Sequence, residues 1–214
     1  MTDEATSPLV KRAIERSVSE RVSAAADEIE LLLAAAFQVI ERSGNLDPPI
    51  REILREAGLS TPAFYRHFRS KDELMVLVHD RGVRILVNYL HRRMARVAGP
   101  FEKVAAYIDG VLRQATPRAA GGARPFGLAS RQLMAAFPEA RHEHDKLLVA
   151  PLAEVIADGQ QAGVFRSSDP WADASIIRDY AVAALHRHLV DETPPNTEET
   201  ARLIDFARRA LAAD

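Results

Sequence analysis

The chain of 214 residues contains no cysteine. Disulfides and thiolate metal sites are therefore excluded, and a reducing compartment fits. It also lacks a charge excess, with 28 Lys and Arg against 30 Asp and Glu and a net charge of −2. Neither half is basic: 14 basic and 14 acidic residues precede position 96, and 14 and 16 follow. A globally basic coating protein is excluded, and any affinity for a polyanion must come from a local patch. Long apolar runs are missing too. The longest, Leu31–Phe37, falls far short of the roughly 20 residues that span a bilayer. The start MTDEATSP is acidic and does not resemble a secretory signal. No glycine-rich phosphate loop occurs, since Gly121-Gly122 lacks a following Lys-Ser/Thr, and no G-x-S-x-G elbow or carboxylate pair stands out. These absences predict a soluble cytoplasmic protein with no membrane partner, no cofactor and no enzymatic activity.

What is present is a helical punctuation around residues 50–74. Ile50, Ile53, Leu54 and Ala57 recur at i, i+3, i+4, i+7, one face of a short helix. Gly58 follows at once, where a left-handed residue ends a helix at little steric cost. Ser60 is placed to cap a second helix, with Pro62 tolerated in its first turn. Phe64 and Phe68, four apart, point back at the first helix, leaving Thr61, Pro62, Ala63, Tyr65 and Arg66 outward. Ser70 and Glu73 form an S-x-x-E capping box that opens a third helix. Two short helices joined by a glycine-bearing turn make a helix-turn-helix. Its outer surface carries Arg51, Arg55, Arg66, Arg69 and Lys71 against Glu52 and Glu56, a local balance of +3, with His67 and Tyr65 added. Cations and hydroxyls there suit phosphate oxygens, and small residues at the start of the second helix suit base edges. Composition alone is equally compatible with a helix hairpin that merely belongs to a core.

The segments LLLAAAFQVIERSG, IREILREAGLS and TPAFYRHFRSKDEL, residues 32 to 74 with Gly58, Tyr65, Phe68 and Lys71 at the most demanding positions, resemble the DNA-binding domain of the TetR family of bacterial regulators. The resemblance implies an all-α fold: an N-terminal three-helix head and a C-terminal helical body for effector binding and dimerisation. It implies phosphate contacts from Tyr65, His67 and Lys71, base approach by Thr61 and Pro62, and a base or phosphate contact from Arg51. Ala63 and Arg66 complete the expected DNA-binding set. Two departures stand out. Pro48-Pro49 replaces the usual hydroxyl-bearing cap, so Asp47 is expected to cap, and Ala63 replaces a frequent threonine.

In chain order, residues 1–6 read as disordered. Residues 8–22 read as a helical arm with Val10, Ile14, Val18 and Val22 every fourth position and Lys11, Arg12, Arg16 and Arg21 elsewhere. Such an arm enters a minor groove or packs on the body or a partner. The expected division is an arm at 1–22, a head at 23–75, with a linking helix from about 71, and a body at 76–214. Within the body, helices are expected at 101–115, 126–136, 138–161, 170–190 and 197–212, with a Gly/Pro/Ala-rich loop at 116–125. Pro151 is expected to kink or end its helix. The last two helices, amphipathic and alanine-bearing, are the dimerisation candidates, or else complete the monomer core. Candidate effector-site residues are Tyr107, Val111, Gln114, Phe126, Arg131, Met134, Phe137, Leu147 and Tyr180, any of which is also ordinary core.

His142-Glu143-His144-Asp145 draws attention as a metal site, but i and i+2 lie about 200° apart on a helix and do not face one ion. No metal is expected. The leading expectation is a ligand-responsive regulator, usually a repressor in this family, that binds a palindromic operator in double-stranded DNA as a homodimer. A small hydrophobic effector releases it. The alternatives are a metal-dependent enzyme using the 142–145 cluster, or a protein-binding module.

Overall fold

The computed structural model describes residues 7–45, 47–116 and 135–212, and no strand occurs among them. The expectations for residues 1–6, for most of the 116–125 loop, for most of the 126–136 helix, and for Phe126, Arg131 and Met134 fall outside the described residues. Helix α1 spans Pro8–Ser43. The arm and the first head helix are thus one element, not two. Residues 9–43 contain neither Gly nor Pro, and nothing else on the backbone forces a break. Gly44 ends α1 in the left-handed region (φ 67°), its N–H donating to the Ile40 carbonyl. Val10, Ile14, Val18 and Val22 stay exposed, so the arm does not pack on its own body.

Helices α2 (Ile50–Ala57), α3 (Thr61–His67) and α4 (Lys71–Met94) follow. Gly58 takes φ 66° between α2 and α3, and Leu59 N–H donates to the Leu54 carbonyl at 3.0 Å. The head core gathers Leu32, Leu33, Ala36 and Ile40 of α1 with Ile53, Leu54, Phe64 and Phe68. Leu74, Met75 and Val78 of α4 close it.

Helix α5 (Pro100–Leu112) runs into a short 3-10 turn, Arg113–Ala115. Helix α6 (Pro138–Gln161) continues through Pro151 without ending, because a buried proline costs one intrahelical bond while its packed neighbours hold the axis. Helix α7 (Pro170–Val190) is capped by Asp169, whose carboxylate accepts from Trp171 and Ala172 N–H at 3.0 Å. Helix α8 (Thr197–Leu211) is capped by Asn196, which accepts from Glu198 N–H at 2.8 Å. Glu199 does not turn back to this cap; it reaches Arg187 and His188 of α7. The body core gathers Leu90 and Met94 of α4 with Tyr107, Ile108, Leu112, Leu152, Ile156, Ala181 and Leu185, among others. Helix α4 therefore belongs to both cores.

Gly159 of α6 has a packing reason. A Cβ there would sit 2.2 Å from Phe165 Cδ2, and the buried Phe165 ring is itself held edge-on against Phe101 at 4.7 Å. Gly159→Ala should overpack this contact by about 1–3 kcal/mol, more than the roughly 1 kcal/mol gained by removing a helical glycine. A lower thermal midpoint is expected. A raised midpoint would show that Phe165 yields freely.

Candidate nucleic-acid interface

The outward face of the helix-turn-helix is built by local rules. Ser60 Oγ accepts from Ala63 N–H at 3.3 Å and starts α3. Phe64 and Phe68 are buried and stacked with ring centroids 5.3 Å apart. That anchoring turns Thr61, Pro62, Tyr65 and Arg66 to solvent. Tyr65 is 62% exposed and stands edge-on to Phe64 at 5.1 Å. Ala63 departs from its expected outward position: it is only 4% exposed, since it sits one residue before Phe64 on the side of α3 that meets the head core. Ser70 Oγ accepts from Glu73 N–H at 3.2 Å, and the Glu73 carboxylate reaches past the cap to Arg69 N–H at 2.6 Å.

The cations of this face fall into two groups. Arg51, Arg55 and Arg69 are exposed and make no ion pair among the described residues. Arg66, His67 and Lys71 are already engaged. Glu28 of α1 accepts from Arg66 Nη2 with both oxygens at 3.0 Å and lies 2.6 Å from His67 Nε2. The His67 hydrogen bond, then that of Arg66, hold the Glu28 carboxyl below the ordinary carboxylate range. Lys71 pairs with Asp47 and donates to the Pro48 carbonyl at 3.3 Å. Asp47 therefore does not cap α2; Pro49 stands at the cap with no side-chain bond, because the Lys71 ammonium draws the carboxylate away. Arg42 of α1 similarly pairs with Glu56 of α2 at 2.9 Å.

Two family models match this chain: "Bacterial regulatory proteins, tetR family" over residues 32–78, and "Tetracyclin repressor-like, C-terminal domain" over residues 129–204. The chain belongs to the TetR family. The curated relative BetI of Brucella anthropi, an HTH-type transcriptional regulator, is 32% identical over 77 residues. That match takes in 36% of this chain and 40% of BetI. The fold agrees with E. coli NemR in its reduced form, at a TM-score of 0.67 and 17% identity over 88% of this chain and 98% of that one. A TetR transcription regulator from Haloarcula marismortui superposes equally, with a TM-score of 0.67 and 20% identity over 88% and 100%.

In the TetR body, the expected effector-site residues that are described fall into different environments. Tyr107 and Val111 are fully buried core, the Tyr107 hydroxyl donating to the Leu148 carbonyl at 2.7 Å. Gln114 is buried and satisfied by its own helix, Nε2 donating to the Gly110 carbonyl at 3.0 Å. Phe137 and Leu147 are half-buried. Tyr180 lies elsewhere: it is 57% exposed and lines a surface groove of about 670 Å³ between α7 and α8 with Ile176, Leu203, Phe206 and Ala207.

The 142–145 cluster separates as helical geometry requires. His142 is exposed, whereas His144 is buried against α4. His144 Nδ1 meets His79 Nδ1 at 3.1 Å, and its Nε2 meets Asp80 Oδ1 at 3.2 Å. The Asp80 carboxylate only accepts, so His144 Nε2 donates to it. Asp80 is completed by Arg84 at 2.7 Å. His79 was not singled out in the sequence, although it occupies the apolar stripe of α4 between Met75 and Val83. No group of three His, Cys, Asp or Glu converges on a metal position among the described residues.

Burial, and then the nearby His144, push the His79 imidazole down to about 4. Below pH 6.5 the unfolded chain therefore takes up a proton that the folded chain refuses until about pH 4. Stability is full at neutral pH and falls across that window, by up to about 3 kcal/mol at its acid end. Thermal melts between pH 7 and 5, above the range of the carboxylates, should show the midpoint falling. His79→Asn keeps a hydrogen-bonding side chain against His144 and should flatten that fall; an unchanged slope would remove His79 as its source.

Proposed function

We propose that this TetR-family protein is a cytoplasmic, ligand-responsive transcriptional regulator, acting as a repressor, that binds a palindromic operator as a homodimer. The carrying observation is the α3 surface, where exposed Thr61, Pro62 and Tyr65 lie beside Arg51, Arg66, His67 and Lys71. Thr61 and Pro62 meet base edges in the major groove, while Tyr65, His67 and Lys71 hold phosphates. Arg51 adds a base or phosphate contact. Affinity then falls steeply with salt, because backbone contacts release counterions.

The second copy docks on the α7–α8 face. Ile176, Tyr180 and Phe206 are all more than half exposed there, a cluster of large apolar side chains that water poorly tolerates. An isologous pairing of this face gives a four-helix interface and presents two heads to successive grooves. A small hydrophobic effector bound in the body releases the operator by tilting α4, which among the described residues is the helix shared by both cores. The groove residue Tyr180 is assigned to the dimer face and not to the effector site. No helix of the described residues is long and apolar enough to cross a membrane.

Two tests follow from these surfaces. Tyr65→Ala and Lys71→Ala should each weaken binding about tenfold on every duplex, whereas Thr61→Ala and Arg51→Ala should alter sequence preference. Wild-type behaviour in all four, measured by fluorescence anisotropy, would mean that the surface is wrongly assigned. Phe206→Glu should convert a dimer to a monomer in sedimentation and abolish the preference for inverted repeats; a monomeric wild type would remove the dimer reading.

A further inference from the structure

Glu28 occupies an unusual place for a carboxylate in a nucleic-acid-binding head. It lies on α1, yet its two oxygens engage the last turn of α3, accepting twice from Arg66 and contacting His67 at 2.6 Å. Its side chain is partly open to solvent, as is that of Arg66. The Glu28–Arg66 pair is exposed enough to contribute little to stability, so holding the fold together does not explain the part that Arg66 takes in it. What the carboxylate does change is charge. It places one negative group against the Arg66 guanidinium and the His67 ring of the recognition helix, with both oxygens on Arg66 Nη2 and one of them on His67 Nε2, donors that phosphate oxygens also use.

We propose that Glu28 is an internal competitor for phosphate: it occupies Arg66 and His67 in the free protein and gives them up to the DNA backbone on binding. This rests on the regulator reading. The consequence is a lower affinity for every duplex. Random sequence, bound almost wholly through phosphate neutralisation, meets the cost of displacing Glu28 and falls to weak occupancy. A true operator meets the same cost and stays bound through base contacts from α3. Glu28 thus sets the level of backbone affinity; it makes no base contact itself and leaves the ratio between sequences unchanged. It acts beside Asp47 on Lys71 and Glu56 on Arg42, and among the described residues it is the carboxylate that meets both Arg66 and His67.

The test uses the full chain and two duplexes of equal length, one selected by the wild type from a random library and one of random sequence. Glu28→Gln should bind the random duplex about tenfold more tightly at low salt, with a slope of log affinity against log salt steeper by one to two phosphates. The selected duplex should tighten by a similar factor, so that the ratio between the two duplexes stays within about twofold. In an Arg66→Ala background the gain from Glu28→Gln should largely vanish. Equal or weaker binding of the random duplex by Glu28→Gln, with unchanged helicity and thermal midpoint, would overturn the proposal, as would a gain that persists undiminished without Arg66. If the variant loses helicity, Glu28→Asp, which keeps the charge but shortens its reach, must reproduce the tightening for the proposal to stand. A wild type that shows no preference for any duplex sinks the regulator reading alone, because the Glu28 effect is read on random sequence.

Discussion

Helix α4 is buried at both ends in different company. Leu74, Met75 and Val78 are locked into the head with α1, α2 and α3, while Leu90 and Met94 are locked into the body with α5 and its neighbours. Its 24 residues extend about 36 Å as a continuous hydrogen-bonded rod. A change of packing in the body therefore has no soft joint to absorb it before the head. The His79–His144 contact, directly after Val78 at the edge of the head core, ties the same rod to α6 through polar groups. Apolar burial holds the ends; a directional polar contact adds to the hold near the head.

The electrostatics of the head follow a different logic from the chain as a whole. With a net charge of −2, the molecule exerts no general pull on a polyanion, and the helix-turn-helix supplies the local patch. Yet three of its basic groups are held by carboxylates in the free protein: Arg66 and His67 by Glu28, and Lys71 by Asp47. The patch that the sequence presents as +3 is therefore weaker at rest than a count of side chains suggests. Its full strength becomes available only to a partner that offers replacement oxygens.

Apolar surface is distributed unevenly. The body core is dense, with Tyr107, Ile108, Leu152 and Ile156 sealed from water, while α7 and α8 turn Ile176, Tyr180 and Phe206 outward. Alternation of buried Ala181 and Ala184 with exposed Tyr180 on one helix shows that α7 has two working faces, one facing its own core and one free. The N-terminal half of α1 likewise carries Val10, Ile14, Val18 and Val22 into solvent, in register with the stripe that packs the head further along the same helix.

Features written within one turn of chain were legible before any coordinates: Gly58 as a left-handed stop, Ser60 and Ser70 as caps, and Phe64 and Phe68 as inward anchors that expose Tyr65. Each depends on backbone sterics or on a side chain reaching a neighbouring N–H, and spacing alone specifies it. Contacts between distant segments were not legible. Nothing in the chain announces that Glu28 meets residues 38 and 39 positions away, that Asp47 prefers Lys71 to a helix cap, or that His144 finds His79 across α4. Those pairings arise from how helices cross, and charge or imidazole chemistry offers many partners of equal appeal until packing brings one within reach. Periodicity determined the helices, their stops and the recognition face; the tertiary structure decided which cations are already occupied, and which apolar faces remain open.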